Sequence, residues 1–268
     1  MVRDLALIGC GQWGRNLARV FDQLGVLHTI CDPNPAYQNH GLRMVQHVQE
    51  SLDENIKKVV IATSSETHFE LASMALRADK DVFVEKPLCF RYTEALVLLK
   101  LARDQQKILM VGHILRYHTS FLQLQQIVRD GLIGNVIEIS ARRKITGPGR
   151  SGGVLLDLSV HDLSMALALP IKLSSVRVNM EAQADSPQKI SEFIVTGDQG
   201  MLVFDDTKAW NEKLKHNELY VKPMPAEPLE LECKHFLKAC KSRIKPRTDV
   251  EESCRIFRIL DSFPAADR

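Results

Sequence analysis

The sequence has few of the features that mark secreted, membrane or nucleic-acid-binding proteins. Its six cysteines form no Cys-x-x-Cys pair and no zinc-type spacing, which favours reduced thiols and no structural metal. No apolar run reaches the about 18 residues that a membrane span requires, and the N-terminal apolar run is too short for a signal peptide. The net charge of +2 gives no general attraction to nucleic acid or anionic membrane. We therefore expect a soluble, cytoplasmic protein.

The 268 residues have an ordinary globular composition, and their pattern changes near residue 115. Before this point, short apolar runs alternate with stretches of helical periodicity. The predicted strands cover residues 5–8, 26–32, 56–64, 81–86 and 108–113, and the predicted helices cover residues 14–25, 68–79 and 92–106. Such alternation with short connections predicts a doubly wound parallel sheet, that is, an α/β Rossmann domain over residues 1–115.

Residues 116–268 instead predict an α+β domain. Its predicted elements are a helix over 119–131, a strand over 135–144, a flexible loop over 147–153 and a helical segment over 154–169. They continue with a strand over 174–183, a hairpin over 191–206 that contains the GDQG turn, a strand over 217–223, and helices over 228–241 and 249–263. Consecutive strands joined by tight turns, such as the GDQG turn, predict an antiparallel sheet.

A glycine motif follows the first strand and opens the first helix. Gly9, Gly11 and Gly14 have Gly-x-Gly-x-x-Gly spacing, and Gln12 and Trp13 lie inside it. In this strand–helix context the motif predicts a dinucleotide site, because the glycines permit a tight turn, close approach of the pyrophosphate and close helix–strand packing. The phosphates are expected at the helix N-terminus, where free N–H groups and the helix dipole favour anions.

The second predicted strand ends at Asp32, where a carboxylate can accept hydrogen bonds from a ribose diol. The segment that follows, DPNPAYQNHG at 32–41, contains no Arg or Lys to meet a 2′-phosphate. We therefore predict NAD as the cofactor in preference to NADP.

Short polar side chains follow the next strand. Thr63 and Ser64 end it at the carboxyl edge of the predicted sheet, where open α/β sheets bind ligands. Ser65 or Thr67 is predicted to cap the helix that begins near His68, and capping alone is an alternative explanation for these hydroxyl groups. His68 lies at the same edge, or packs under the cap.

The run VFVEKPL ends the following strand with Glu85 and Lys86, and Pro87 fixes the turn. A lysine at this edge can hold a substrate hydroxyl by a charge-assisted hydrogen bond. The alternative is a surface lysine that pairs with Glu85. We expect Glu85 to support the site rather than to perform chemistry.

A third polar group lies in GGVLLDLSVHDL. Asp157 and His161 are four residues apart and share one face of a helix, where the acid can stabilise an imidazolium and make the histidine a proton acceptor. Asp162 points about 100° away and is expected to be structural. A metal site lacks a third ligand, and helix capping or a polar role in the core remains the alternative for the pair.

Taken in order, these motifs resemble the Gfo/Idh/MocA family of NAD(P)-dependent sugar and polyol dehydrogenases. The resemblance rests on the glycine motif, on ATSSETHFELASMALRADKDVFVEKPL, on GHILRY and on GGVLLDLSVHD, and it continues to the C-terminal helices. It implies a Rossmann domain followed by an open antiparallel sheet with helices. It also implies that Lys86 is the catalytic lysine, with His161 as acid/base and Asp157 assisting.

The same resemblance implies the residues that bind ligands. The cofactor set is Gly9, Gly11, Gln12, Trp13, Gly14, Asp32, Thr63, Ser64, His68, Glu85 and Lys86, and the substrate set is Lys86, His113, Arg116, Tyr117 and His161. The hypothesis is hydride transfer, in which His161 takes the hydroxyl proton and Lys86 stabilises the alkoxide. Arg116, Arg142 and Arg143 are candidates for a substrate diphosphate, although solvated arginines beside a basic strand are equally common.

Within the family, the region from GHILRY to SARR is most similar to enzymes that oxidise the 3-hydroxyl of UDP-N-acetylglucosamine or its uronic acid, a step toward 3-amino sugars of lipid A or surface polysaccharide. Thr119, Ser159 and Val160 depart from that subgroup's pattern. A dehydrogenase of a free sugar or inositol is the first alternative. A non-catalytic sensor of dinucleotide or sugar is the second, although such a protein has no need of an acid/base set.

The second domain is also shortened. Family members carry further strands where this chain has only ADSPQKI, so we expect the antiparallel sheet to be abbreviated by about a hairpin. The outer face of that sheet commonly forms the family's oligomer interface. A homo-oligomer therefore remains an open expectation here.

Overall fold

The computed structural model describes residues 2–34, 42–148 and 153–262. The chain divides into two compact units, one formed by Met1–Gly112 with Leu229–Arg258 and the other by His113–Pro228 with Ile259–Arg268. Most of the predicted flexible loop over 147–153 lies outside the described residues. Residues 35–41, which are most of the segment from which NAD was predicted, also lie outside the described residues.

The helices and strands are numbered in chain order. The strands are β1 (Leu5–Ile8), β2 (Leu27–Cys31), β3 (Arg43–Val45), β4 (Lys58–Ile61), β5 (Asp81–Glu85), β6 (Leu109–Gly112), β7 (Val136–Lys144), β8 (Arg177–Gln183), β9 (Ile190–Gly197), β10 (Met201–Asp205), β11 (Leu214–His216) and β12 (Leu219–Val221). The α-helices are α1 (Gln12–Gln23), α2 (His68–Arg77), α3 (Tyr92–Asp104), α4 (Thr119–Arg129), α5 (Val160–Leu167), α6 (Pro228–Ser242) and α7 (Val250–Leu260).

The first unit contains a parallel sheet with strand order β3-β2-β1-β4-β5-β6. Of the two central strands, β1 is buried along its whole length and β4 is buried at every residue after Lys58, as the continuous apolar runs of a two-sided parallel sheet predict. The order reverses between β1 and β4, and this reversal creates the crevice in which doubly wound folds bind ligands. The predicted Rossmann fold is therefore confirmed.

The C-terminal helices belong with this first unit. The ring of Phe236 on α6 lies 6.5 Å from the ring of Phe21 and 5.7 Å from the ring of Phe83, in edge-to-face contacts. Thr248 donates its hydroxyl to the carbonyl of Val111 at 2.7 Å. The predicted division at residue 115 therefore differs from the structure in one respect, because residues 229–258 return to complete the core of the N-terminal unit.

The second unit contains an open sheet with strand order β12-β11-β10-β9-β7-β8. Its pairs are antiparallel except β7 with β8, which is parallel, so the prediction of a purely antiparallel sheet needs this correction. The reason is that a helical crossover containing α5 joins β7 to β8, and such a crossover returns the chain in the same direction. The predicted turn at 197–200 joins β9 to β10, where the N–H of Gly197 donates to the carbonyl of Gly200 at 2.8 Å.

A buried ion pair fixes α5 to this sheet. The guanidinium of Arg143 on β7 donates to both carboxylate oxygens of Asp162 on α5, at 2.5 and 3.1 Å, and to the hydroxyl of Ser191 at 2.8 Å. Asp162 is thus structural, as expected from its direction on the helix. The suggestion that Arg143 binds a diphosphate is wrong, because its guanidinium is committed to these groups and the residue is only 9% exposed.

We predict that Arg143→Met destabilises the protein by about 3 kcal/mol, because it leaves the Asp162 carboxylate buried without its charge partner. The matched control is Arg142→Met, since Arg142 is exposed and its nitrogens lie 3.3 Å from Glu181 and Glu192. This control is expected to cost less than about 1 kcal/mol. Urea denaturation measures both values, and equal effects would contradict the structural role of the Arg143 pair.

Candidate functional site

The glycine motif forms a tight loop between β1 and α1. Gly9 has φ +89, and a Cβ atom there would lie 2.7 Å from the backbone nitrogen of Thr63. A Cβ on Gly14 would lie 2.2 Å from the carbonyl oxygen of Gly9. A Cβ on Gly11 would have no atom within 4 Å, so the loop at this position faces open space. The loop therefore has the shape that a pyrophosphate requires, with close packing on one side and an open backbone beside the start of α1.

Asp32 anchors this loop. One carboxylate oxygen accepts from the backbone N–H of Cys10 at 2.7 Å, and the other accepts from the backbone N–H of Asn34 at 2.9 Å. Each carboxylate oxygen can accept more than one hydrogen bond, so these contacts leave acceptor capacity for a ribose diol. The residues fit a bound dinucleotide at this edge, and Asp32 also has a positioning role that the sequence did not indicate.

The hydroxyl groups after β4 make a short network. Thr67 donates to the carbonyl of Ser64 at 2.8 Å, so the hydroxyl of Thr63 donates to the oxygen of Thr67 at 2.7 Å. Thr67 precedes α2 but makes no side-chain capping bond to it. The prediction that Thr67 caps the helix is therefore wrong, because its hydroxyl closes the preceding turn instead.

His68 is a buried brace between two strand ends. Its ring nitrogens lie 2.7 Å from the carbonyl oxygen of Pro87 and 3.2 Å from the carbonyl oxygen of Thr63. Burial lowers the pKa of His68, and the nearby positive charge of Lys86 adds to this effect. The neutral ring has one N–H, and the shorter contact assigns it to Pro87. His68 therefore positions the turns that carry Thr63 and Lys86, which agrees with the packing role considered for it.

Glu85 ends β5 at the same edge of the sheet, Lys86 follows it, and the Lys86–Pro87 peptide bond is cis. The indole N–H of Trp13 donates to the carboxylate of Glu85 at 2.6 Å. A Cβ on Gly112 would lie 2.9 Å from that carboxylate, so the absence of a side chain on β6 makes room for it. Glu85 thus links β5 to the helix that begins in the glycine loop.

A further carboxyl group lies behind Glu85 and was not predicted. Glu232 on α6 is fully buried, and burial together with the charge of Glu85 raises its pKa. The signal in the sequence was a glutamate on the apolar face formed by Leu229, Cys233 and Phe236. Glutamate side chains are almost never fully buried unless they are paired.

In the second unit, the structure brings together three of the predicted substrate residues. The rings of His113 and His161 meet edge to face, with their centroids 6.0 Å apart. Arg116 donates to the carbonyl and the hydroxyl of Ser164, at 2.9 and 3.1 Å, which joins its turn to α5. Because Arg116 is only 7% exposed, this contact favours a positioning role over the predicted binding of a diphosphate.

Two further predicted residues lie deeper in this unit. Tyr117 is 1% exposed, and so its ring belongs to the core and offers little surface to a substrate. Asp157 is 5% exposed and lies in a π-helical turn, Leu155–Ser159, that precedes α5. The prediction of a continuous α-helix through Asp157 and His161 is therefore wrong. Turns of this type occur frequently at functional sites.

The described residues contain no group of three or more His, Cys, Asp or Glu side chains that could hold a metal ion. None of the described helices combines the length and apolar character that crossing a membrane would require. The candidate functional groups are the two polar sets described above, at the strand ends of the first unit and around α5 of the second.

We predict that Gly11→Ala and Gly14→Ala separate coenzyme binding from folding. Gly14→Ala is expected to destabilise the protein by about 1–3 kcal/mol, because its Cβ would collide with the Gly9 carbonyl. Gly11→Ala should change stability by less than about 1 kcal/mol but raise the NAD dissociation constant on the order of tenfold. Thermal unfolding and calorimetric titration measure the two effects, and unchanged affinity in Gly11→Ala would contradict the assignment.

We predict that His68→Ala lowers the free energy of unfolding by about 2 kcal/mol, because a buried carbonyl loses its donor. His68→Asn retains a donor near the Nδ1 position and should recover part of this loss. Because the pKa of folded His68 is lowered, wild type should also lose stability relative to His68→Asn as pH falls below about 6.5. Urea denaturation between neutral and acidic pH measures this difference, and a pH-independent difference would argue against a buried neutral ring.

Comparison with known proteins agrees with this architecture. Residues 3–113 match the sequence profile described as "Oxidoreductase family, NAD-binding Rossmann fold". An inositol 2-dehydrogenase from Rhizobium meliloti is 33% identical over 47% of this chain and 39% of that protein. A UDP-N-acetylglucosamine 3-dehydrogenase from Acidithiobacillus ferrooxidans is 29% identical over 64% of this chain and 57% of that protein. In both cases the match spans less than two thirds of the relative's own length.

The fold of the whole chain also has known counterparts. A crystal structure from Magnetospirillum magnetotacticum superposes with a TM-score of 0.87 at 24% identity, covering 98% of this chain and 100% of that chain. This similarity shows a common fold. The sequence match shows that residues 3–113 are similar to the Gfo/Idh/MocA oxidoreductase family.

Proposed function

We propose that this chain is an NAD-dependent dehydrogenase that oxidises a ring hydroxyl of a sugar. The observation that carries the proposal is the position of Lys86, which directly follows β5 at the same edge of the parallel sheet as the glycine loop after β1. A cation at this edge is suited to a substrate held beside a dinucleotide. The fit of the loop to a pyrophosphate, with Asp32 anchoring it, supports the same function.

Each proposed catalytic residue has a separate role. Bound NAD supplies the hydride acceptor for the carbon that is oxidised. Lys86 stabilises the negative charge that develops on the substrate oxygen, which is worth several kcal/mol where water is excluded. His161 takes the hydroxyl proton as general base, and Asp157 supports it. His113, in edge-to-face contact with His161, restricts the orientation of that ring.

We propose the C3 hydroxyl of a UDP-N-acetylhexosamine as the site of oxidation. Similarity to the UDP-N-acetylglucosamine 3-dehydrogenase extends over 183 residues and so continues beyond the Rossmann segment. The product would be a 3-oxo sugar, a ketone suited to transamination to a 3-amino sugar in lipid A or surface polysaccharide synthesis. A dehydrogenase of inositol or a free sugar is the second candidate, because an inositol 2-dehydrogenase has the higher identity over a shorter stretch.

The proposal includes NAD as the coenzyme and the cytoplasm as the location. The absence of Arg and Lys from residues 32–41 supports NAD. All six cysteines are free and buried, which fits a reducing compartment. Exposed apolar residues on the second sheet, including Val178 and Met201, are compatible with a homo-oligomer.

We predict that Lys86→Ala lowers kcat about 100-fold or more while the NAD dissociation constant stays nearly unchanged, because the lysine acts on the developing charge. Lys100→Ala, at an exposed position on α3, is the control and should behave as wild type. NADH formation is measured with UDP-sugars, free hexoses and inositols. Wild-type kcat in Lys86→Ala would overturn the assignment, and a preference for inositol would select the second candidate.

A further inference from the structure

A cavity of about 450 Å³ lies at the amino edge of the parallel sheet in the first unit. Its walls come from the second half of α3, the loop that joins α3 to β6, the connection between α6 and α7, and the start of α7. The glycine loop and Lys86 follow their strands at the opposite, carboxyl edge. The cavity is therefore separate from these groups, and its volume lies in the range typical of small-molecule sites.

One part of the wall is apolar. α3 and the start of β6 supply most of this part, and the segment that leads into α7 completes it. The apolar lining residues are Leu99, Ala102, Ile108, Leu109, Pro246 and Val250. Such a surface favours a ligand with an apolar body, because contact between the two removes apolar area from water.

The rest of the wall carries more positive than negative charge. Its cations are Arg103, Lys107, Arg243 and Lys245, and its acids are Asp249 and Glu251. Four cations and two acids leave a net charge of +2 on the wall. Lys107 pairs with Asp79 at 2.7 Å, and Arg243 pairs with Asp81 at 2.6 Å. Neither of these two partner acids lines the cavity, so the lining itself favours an anionic group.

Both acids of the wall already have partners. The Asp249 carboxylate caps α7 by accepting from the N–H of Glu252 at 2.9 Å, and it pairs with Lys245 at 2.6 Å. Glu251 accepts from Arg103 at 2.6 Å and also pairs with Lys245. Lys245 and Arg103 together lower the pKa of Glu251 to about 2. An anionic ligand therefore meets carboxylates whose charges are already compensated.

Arg103 is the cation best placed to hold a ligand. A guanidinium has five N–H donors, and that of Arg103 uses one nitrogen for Glu251. Both side chains of this pair are exposed, and exposed ion pairs rearrange readily because they contribute little to stability. The guanidinium of Arg243 instead holds the frame, since it donates to Asp81 and to the carbonyl of Gln106, each at 2.6 Å.

Hydrogen bonds fix the walls of the cavity. The contact of Arg243 with the Gln106 carbonyl joins the connection between α6 and α7 to the loop before β6. The N–H of Val111 on β6 donates to the carbonyl of Thr248 at 2.7 Å, and the hydroxyl of Thr248 donates to the carbonyl of Val111 at 2.7 Å. The cavity is therefore preformed, which lowers the entropic cost of binding a ligand.

We propose that this cavity binds a small organic anion, that is, a molecule with an apolar or aromatic body and one carboxylate, sulfonate or phosphate group. The body lies against α3 and the start of β6, and the anionic group accepts hydrogen bonds from Arg103 with Lys245 beside it. The inference goes beyond the proposed dehydrogenase function and does not rest on it, because the two sites are built from different residues.

The test uses two fluorescent probes that differ in one group. Anilinonaphthalenesulfonate has aromatic rings and a sulfonate, whereas phenylnaphthylamine has the same rings without the sulfonate. Each probe is titrated into the full chain with excess NAD present, so that the proposed coenzyme site is occupied, and is excited at wavelengths that tryptophan does not absorb. Wild type should bind the sulfonate more tightly than the neutral probe, because the lining carries an excess of cations.

Charge variants test the role of Arg103. Arg103→Gln should raise the dissociation constant of anilinonaphthalenesulfonate about fivefold to tenfold, because a charge-assisted hydrogen bond is lost. It should leave that of phenylnaphthylamine within about twofold of wild type. Arg103→Lys keeps the charge and should recover part of the affinity. The matched control is Lys100→Gln, on the same helix but outside the cavity, which should leave both constants unchanged.

A steric variant tests the position of the probe. Leu99→Trp places an indole in the cavity and should weaken both probes about tenfold or more. Its matched control is Leu96→Trp, at an exposed position on the same helix that does not line the cavity. This control should bind both probes like wild type. Melting temperatures verify that each variant is folded, and if Leu99→Trp does not fold, Arg103→Gln decides alone.

Three results would overturn the proposal. Equal binding of anilinonaphthalenesulfonate to wild type, Arg103→Gln and folded Leu99→Trp would place the probe elsewhere. Equal affinity of wild type for the two probes would remove the anionic requirement, and no binding of either probe would remove the site. If the chain oxidises no sugar, the comparisons between variants and controls still hold, so this inference and the proposed function fail separately.

Discussion

The first unit depends on the close approach of three backbone segments at one edge of the parallel sheet. These are the turn at Gly9, the start of α1 at Gly14 and the backbone that follows β4. Gly9 and Gly14 leave no room for a Cβ, since the carbonyl of Gly9 and the backbone after β4 occupy that space. This packing fixes the direction of α1, and it leaves Gly11 open to solvent at the start of that helix. The same contact thus sets the core of the fold and the shape of the proposed dinucleotide site.

The polar side chains at the carboxyl edge of the first unit lie on the same elements as its buried aromatic cluster. Phe21, Phe83 and Phe236 join α1, β5 and α6 in edge-to-face contacts, and the same three elements present Trp13, Glu85 and Glu232 nearer the carboxyl edge of the sheet. The return of the C-terminal helices to the first unit therefore has a consequence for chemistry. It places a carboxyl group behind the strand that carries the proposed catalytic lysine.

The sequence predicted those features that depend on local geometry, and it missed those that depend on which faces meet. Gly14 was identifiable because a backbone contact excludes every other residue there. The pairing of Arg143 with Asp162, the burial of Tyr117 and the position of Glu232 each join segments distant in the chain, and no spacing reports such contacts. The parallel pairing of β7 with β8 was missed for the same reason, since strand periodicity does not reveal the direction of a neighbour.

The neighbouring charges of Glu85 and Lys86 serve different faces of β5. Side chains alternate along a strand, so Glu85 shares the face of Phe83, toward α1 and α6. The charge of Lys86 acts on His68 at the start of α2, where it helps to lower the pKa of that ring. On the face that it shares with Phe83, the Glu85 carboxylate accepts a hydrogen bond from the indole N–H of Trp13. This contact keeps the carboxylate on a different face from Lys86. Opposite charges that are adjacent in the sequence thus have two different roles. The anion binds Trp13 in the glycine motif, and the cation is the proposed catalytic group.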